Sequence, residues 1–146
     1  MTEERILILV KPDGVAHGHI GEIVSRLEKK AYHIDDLKIV MASKEQLARH
    51  YDQLVDKPFY PEIESYMQEG PIVAMIASGT NIVDVFHRMA GATNPSDAAF
   101  GTIRADFGRE WPDGILRNVV HSSDSVASAE KEIKIWFPEL SDVKQS

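Results

Sequence analysis

A chain of 146 residues with 43% hydrophobic content can bury one substantial core and sits near the commonest domain size, so a single domain over residues 1–146 is expected. Its formal net charge of −7 argues against general affinity for nucleic-acid backbones or acidic membranes, because a polyanion is repelled unless basic side chains gather in one cleft. It has no cysteine, which excludes disulfides and thiolate metal sites.

In chain order, Ile6 to Val10 is an unbroken apolar run, too short to span a membrane and characteristic of a strand covered on both faces. The Met1-Thr2-Glu3-Glu4 start lacks the basic-then-apolar pattern of a signal peptide, so a cytoplasmic protein is expected. Lys11-Pro12-Asp13-Gly14 ends the strand and predicts a tight turn. Apolar residues at Ile20, Ile23, Val24, Leu27 and Ala31 predict an amphipathic helix, and residues 37–41 a second strand. Ser43 with Gln46 reads as a capping box for a helix carrying Leu47, Tyr51 and Leu54. A short helix through Ile63 and Met67 precedes a third strand at residues 72–77, and Ile82, Val85, Phe86 and Met89 mark the next helix. Residues 92–116 show no sustained periodicity, and an aperiodic stretch of that length inside a domain is usually functional. Val119-Val120 predicts a fourth strand, and the residues from Ser125, with Ala129, Ile133, Trp136 and Phe137, the last helix.

This order fits an α+β ferredoxin-like βαββαβ arrangement, a four-stranded antiparallel sheet with helices on one face; a doubly wound parallel sheet is the alternative.

Lys11 places a charge where the chain leaves the core, either facing a phosphate or simply solvated at a strand end. The surrounding residues are not a Walker A loop, so a cradle of glycine amides is not expected. Thr93, Asn94 and the Gly101–Asp106 stretch bring hydroxyls and the Arg104 guanidinium together, groups suited to phosphoryl oxygens, although Arg104 and Asp106 could also pair with each other. His121 stands between a strand and a hydroxyl-rich helix start. An imidazole titrates near neutrality, so it can serve as nucleophile or general base, or as a hydrogen-bonded structural residue. If it packs toward the last helix, Glu132 can hold one ring nitrogen and leave the other free to attack. His121 has no strong ligand two or four residues on, where only Ser123 and Ser125 stand, and no metal site is expected.

Taken together these residues resemble the nucleoside diphosphate kinases. Lys11-Pro-Asp-Gly-Val15, Gly21-Glu22-Ile23, His50-Tyr51, Lys57-Pro58-Phe59, Gly70-Pro71, Gly91 to Pro95, Gly101 to Arg104, Asp106-Phe107 and Asn118 to His121 with Ser123-Asp124-Ser125 follow the family's order from Arg5 to about Leu140.

The resemblance implies an enzyme that moves the γ-phosphoryl group of a nucleoside triphosphate, typically ATP, onto a nucleoside diphosphate by a ping-pong route through a phosphohistidine at His121. Lys11 and Asn118 would hold phosphates and sugar hydroxyls, Tyr51 would order the histidine, Thr93 and Arg104 would grip phosphate oxygens, and Phe59 with Ile63 would receive the base. Ser123 and Glu132 would support the imidazole. Magnesium would arrive with the nucleotide phosphates, without a dedicated protein site, and a homo-oligomer, whether hexamer, tetramer or dimer, is implied.

Departures from the family pattern include His87 where an arginine is usual, with Arg88 one step on as the other candidate for that phosphate contact. His17, Phe100, Ala105 and Ser122 also depart, and the 108–116 segment is longer than usual. A catalytically weak binding module on the same fold and an RNA-binding ferredoxin-like module are the competing readings. The second lacks paired strand aromatics and a basic surround, and no specific nucleic-acid partner is expected.

Overall fold

The structure, a computed structural model, describes residues 3–140. Four strands, β1 (Glu3–Val10), β2 (His33–Val40), β3 (Ile72–Thr80) and β4 (Val120–Ser122), form one sheet in the order β2-β3-β1-β4. Every neighbouring pair is antiparallel, the ferredoxin-like arrangement expected from the element order. Among the described residues seven helices accompany them: α1 (Pro12–Ala16), α2 (Ile20–Lys29), α3 (Lys44–His50), α4 (Tyr60–Met67), α5 (Ile82–Ala90) and α6 (Ile103–Phe107) between strands, and α7 (Val126–Trp136) after the last. Among the described residues, no helix is long and apolar enough to cross a membrane.

The expectation of helices on one face needs correcting: both faces are covered. Alternate residues of a strand point to opposite sides, and β1 is apolar at both sets. Ile6, Ile8 and Val10 pack with Ile23 and Leu27 of α2 and Ile82 and Phe86 of α5. Leu7 and Leu9 pack with Leu47 of α3, Met67 of α4, and Ile133 and Trp136 of α7. Each such side chain, fully buried, contributes about 1.5–3 kcal/mol, so leaving the second face open would forfeit a core as large as the first.

Other differences are local. Residues 11–14 do not form an isolated turn: Pro12 opens α1, where its fixed φ suits the first helical position. β2 begins earlier than the apolar pattern predicts and carries a register irregularity between Ile34 and Asp36; as an edge strand it is paired on one side only, and its polar start still hydrogen-bonds to β3. The Ser43 capping box is present, but α3 ends at His50 and residues 51–59 run as turns. The aperiodic stretch contains a 3-10 turn at Pro95–Asp97 and α6, capped by the Thr102 hydroxyl. Val119 lies outside β4 because its φ is +71°, and no strand accommodates that angle.

Candidate active site

The register of β4 decides where His121 points. It sits opposite Leu9, between the Val10–Val120 and Ile8–Ser122 pairs. Cross-strand partners face the same side, so His121 joins Leu9 on the side covered by α3 and α7; a slip of one residue would turn it to the other core. On that side its Nε2 lies 2.8 Å from Oε1 of Glu132, which also accepts from the Ser123 hydroxyl at 2.7 Å. Ser123 in turn accepts from the Leu7 amide at 3.2 Å. A carboxylate can only accept, so Nε2 carries the proton and Nδ1 keeps its lone pair, with no hydrogen-bond partner among the described residues.

Burial, reinforced by the nearby Lys11 charge, pushes the His121 imidazole down to about 3, so the ring is neutral at pH 7. Burial also raises the Glu132 carboxyl, against the opposing Ser123 hydrogen bond. His50, at the end of α3, stands edge-on to His121 with ring centroids 4.3 Å apart. Its Nδ1 accepts from the Trp136 indole at 3.0 Å, and burial pushes this ring down to about 3 as well.

The Asn118–Val120 segment beneath the imidazole is strained. Val120 N donates to Asn118 O at 2.7 Å across Val119, closing a γ-turn of the rare positive-φ form. A β-branched residue in that region costs about 1–3 kcal/mol and persists only where its surroundings over-determine it. Here the Lys11 amide donates to Val119 O at 2.7 Å, and the Val119 amide donates to Oδ2 of Asp13 at 3.2 Å. Tyr66 donates to the other Asp13 oxygen at 2.5 Å while its hydroxyl accepts from the Asn118 amide at 3.2 Å. Arg104 clamps the far side, donating to the carbonyls of Asn118, Gly91 and Val120 at 3.1, 2.8 and 2.8 Å. Gly14 lets α1 approach: a Cβ there would stand 3.2 Å from Val119 Cγ1 and 2.8 Å from Val10 Cγ1.

His121 opens onto a cavity of about 400 Å³ that also meets Lys11, Tyr51, His87, Thr93, Arg104 and Asn118. Lys11 Nζ donates to Oδ1 of Asn118 at 2.7 Å, and the Asn118 amide group donates to the Thr93 carbonyl at 3.2 Å. Burial, with Arg104 adding to it, lowers Lys11 to about 7. Arg104 has five N–H donors; three hold backbone, which leaves two for the cavity. A second hollow of about 360 Å³ shares Lys11, Tyr51, Thr93 and Asn118 and continues outward between Phe59, Ile63, Ile115 and Leu116. An apolar slot leading to a cationic inner wall and a neutral imidazole nitrogen is suited to a nucleoside phosphate.

Most residues singled out in the sequence therefore meet in these two hollows. Arg88 does not. It is one residue beyond His87, about 100° further round α5, and pairs with Asp84 at 3.2 Å on the exposed face. Asp13, Tyr66 and His50 play no part in the sequence reading as site residues, and neither do Ile115 and Leu116. Asp13 and His50 stand inside motifs that carry the family resemblance, a usable signal, whereas nothing in the α4 pattern separates Tyr66 from an ordinary core tyrosine.

His50, His121 and Glu132 also have ligand atoms within 4.8 Å of one another. This trio does not suit a resident cation: Glu132 and His50 Nδ1 are already engaged, and Lys11 and Arg104 place positive charge beside them. Of the other cavity carboxylates, Asp52 pairs with Lys131, which leaves Asp124 as an exposed oxygen donor at the wall.

The fold and the site define a nucleotide phosphotransferase. A sequence profile described as nucleoside diphosphate kinase matches residues 4–141. The chain is 48% identical over 143 residues to nucleoside diphosphate kinase B of Homo sapiens, covering 97% of this chain and 91% of the relative. It is 47% identical over 138 residues to a nucleoside diphosphate kinase of Drosophila melanogaster, covering 94% and 88%. Among solved structures, the nucleoside diphosphate kinase of Encephalitozoon cuniculi superposes with a TM-score of 0.86 at 37% identity, covering 92% of this chain and 88% of that one. The Halobacterium salinarum enzyme in complex with CDP also superposes at 0.86 and 37%, covering 93% and 88%. The chain belongs to the nucleoside diphosphate kinase family, enzymes that transfer phosphoryl groups between nucleotides.

Proposed function

We propose that His121 Nδ1 is the atom that carries the phosphoryl group between nucleotides, and that the chain acts as one domain. The observation that carries this is the Glu132 contact to Nε2, which leaves Nδ1 as a neutral lone pair beside Lys11. Nδ1 attacks the γ-phosphorus of a bound nucleoside triphosphate; the N–P bond forms as the bond to the β–γ bridging oxygen breaks, and the diphosphate leaves with that electron pair. The ring retains its Nε2 proton, and Glu132 offsets the positive charge that develops on it. A second nucleoside diphosphate then attacks the phosphohistidine with its terminal oxygen, and the ring returns to neutral. Lys11, Thr93 and the two remaining Arg104 N–H groups offset phosphate charge, as phosphoryl transfer requires. His87 adds a further donor at the rim, Tyr51 walls the phosphates against the ring, and Phe59 and Ile63 receive the base. The CDP carried by the Halobacterium salinarum relative is consistent with such a slot.

A divalent cation, magnesium by preference, enters as part of the nucleotide substrate. It would neutralise charge on the phosphate oxygens, and Asp124, the exposed carboxylate at the cavity wall, would meet it or its waters. Self-association is the further part of this reading. β2 is an edge strand with Leu37 and Ile39 exposed, Ile39 at 63%, and Met41 exposed just beyond its end. Covering such an edge with a second copy removes an aggregation hazard; light scattering gives the copy number. Cytoplasmic residence is proposed with it.

Incubation with γ-labelled ATP tests the central step. Acid-labile, base-stable label is expected on the parent protein and none on His121→Asn, whose nucleotide exchange should fall on the order of 10⁴-fold or more. Exchange by His121→Asn at the parent rate would overturn the assignment.

A further inference from the structure

The outer part of the nucleoside slot has one charged group. Beyond the inner wall it shares with the phosphate cavity, it is lined by Phe59, Glu62, Ile63, Tyr66, Ile115 and Leu116. Phe59 precedes α4 and Glu62 lies in its first turn, three residues on, so the two side chains rise from the same helical face. The Glu62 carboxylate is exposed and has no hydrogen-bond or ion-pair partner among the described residues. A carboxylate in a first turn also complements the helix dipole; that role alone would place no demand on the slot.

We propose that Glu62 selects the base, favouring nucleotides whose Watson–Crick edge carries an amino group. This rests on the reading above, in which the phosphates lie at Lys11 and His121. With the sugar at the inner wall and the ring against Phe59, the edge furthest from the sugar points to the mouth of the slot. Glu62 is the polar group there. An ionised carboxylate can only accept hydrogen bonds. Guanine offers it two parallel donors, N1–H and the 2-amino group, the arrangement a carboxylate accepts bidentately. Cytosine offers its 4-amino group. Uracil presents a single N–H flanked by two carbonyl oxygens, which the carboxylate repels. Selectivity therefore follows the edge chemistry and is independent of stacking area, which Phe59 supplies to any base.

The test compares bases of equal size. Phosphorylated enzyme is mixed with CDP or UDP, and with GDP or IDP, which lacks the 2-amino group, and kcat/KM for dephosphorylation is measured. For an exposed carboxylate the lower end of base discrimination applies, so CDP over UDP and GDP over IDP are each expected at about three- to tenfold. Glu62→Gln and Glu62→Ala should bring both ratios near one, and Glu62→Lys should reverse the pyrimidine pair. Ratios near one in the parent overturn the inference while leaving the phosphohistidine reading intact. Ratios that survive in all three variants overturn it too, because the selectivity then arises elsewhere. Failure of every nucleotide to be exchanged would instead sink the proposed function.

Discussion

The floor beneath His121 and the slot beside it are built on opposite terms. In the floor, Lys11, Asp13, Arg104, Asn118 and Ser123 are buried polar groups, each hydrogen-bonded to backbone or to another member. In the slot, the apolar side chains of Phe59 and Leu116 are 50% and 45% exposed. A buried network tolerates one arrangement, because any unpaired member carries its full desolvation penalty. An open apolar slot tolerates many occupants, because stacking surfaces make no directional demand. Phosphoryl transfer needs the first property at the reacting atom, and acceptance of several nucleotides needs the second.

The comparison is broken most severely at Asp13. Asp13→Ala leaves the Val119 amide and the Tyr66 hydroxyl without their acceptor. A stability loss of about 2–4 kcal/mol and a fall in kcat of about 100-fold are expected, since the strained turn no longer aims the ring. Asp13→Asn should fall between parent and alanine. Urea melts paired with steady-state kinetics check both, and an unchanged kcat would show that the turn holds itself.

At Glu132, replacement by Gln removes the anion that fixes the His121 tautomer. Phosphoenzyme formation should slow by about 10- to 100-fold with little change in KM. Rapid-quench measurement of the first turnover separates that outcome from loss of binding.

Two pH effects sharpen the contrast. Lys11 in the nucleotide-free protein is lowered to about 7, so kcat/KM should decline as pH rises through that value, while bound phosphate holds the proton and moves the decline upward in kcat. For stability, His50 and His121 are lowered well below the ordinary imidazole value in the folded chain. The unfolded chain therefore takes up more protons as pH drops below about 6.5, and stability should decline from there toward about pH 3. The raised Glu132 opposes this trend near the carboxylate range. His50→Gln should flatten the dependence of the urea midpoint on pH.

The smallest effect belongs to the slot. Leu116→Ala should raise KM about two- to fivefold for every nucleotide, leave kcat alone and cost little stability, because the side chain is half-exposed already. A change in kcat would mean that slot and floor are coupled.

Much of the site was legible residue by residue. Lys11 and His121 are legible from their chemistry and position at strand ends, Glu132 from its place on the last helix and Asn118 through the family resemblance, and the structure brings all four to one cavity. The Ser43 capping box was readable because both halves lie within four residues. What escaped has a common physical cause. Tyr66 meets Asp13 across 53 residues and Asp13 meets Val119 across 106, so no local window contains the hydrogen bonds that strain the turn. Arg104 reads as a phosphate ligand because a guanidinium suits phosphate; that three of its donors hold carbonyls depends on where the chain passes.

By itself the sequence determined the elements, through periodicities of two and 3.6 residues, and the identity of the reactive groups, through side-chain chemistry that does not depend on context. Tertiary structure alone decided which face of the sheet His121 occupies, that both faces of β1 are covered, that His87 reaches the cavity while Arg88 turns away, and that Val119 is held in a strained turn. Those outcomes follow from strand register and from contacts between distant segments, where the free energy belongs to the packed assembly and not to any stretch of chain.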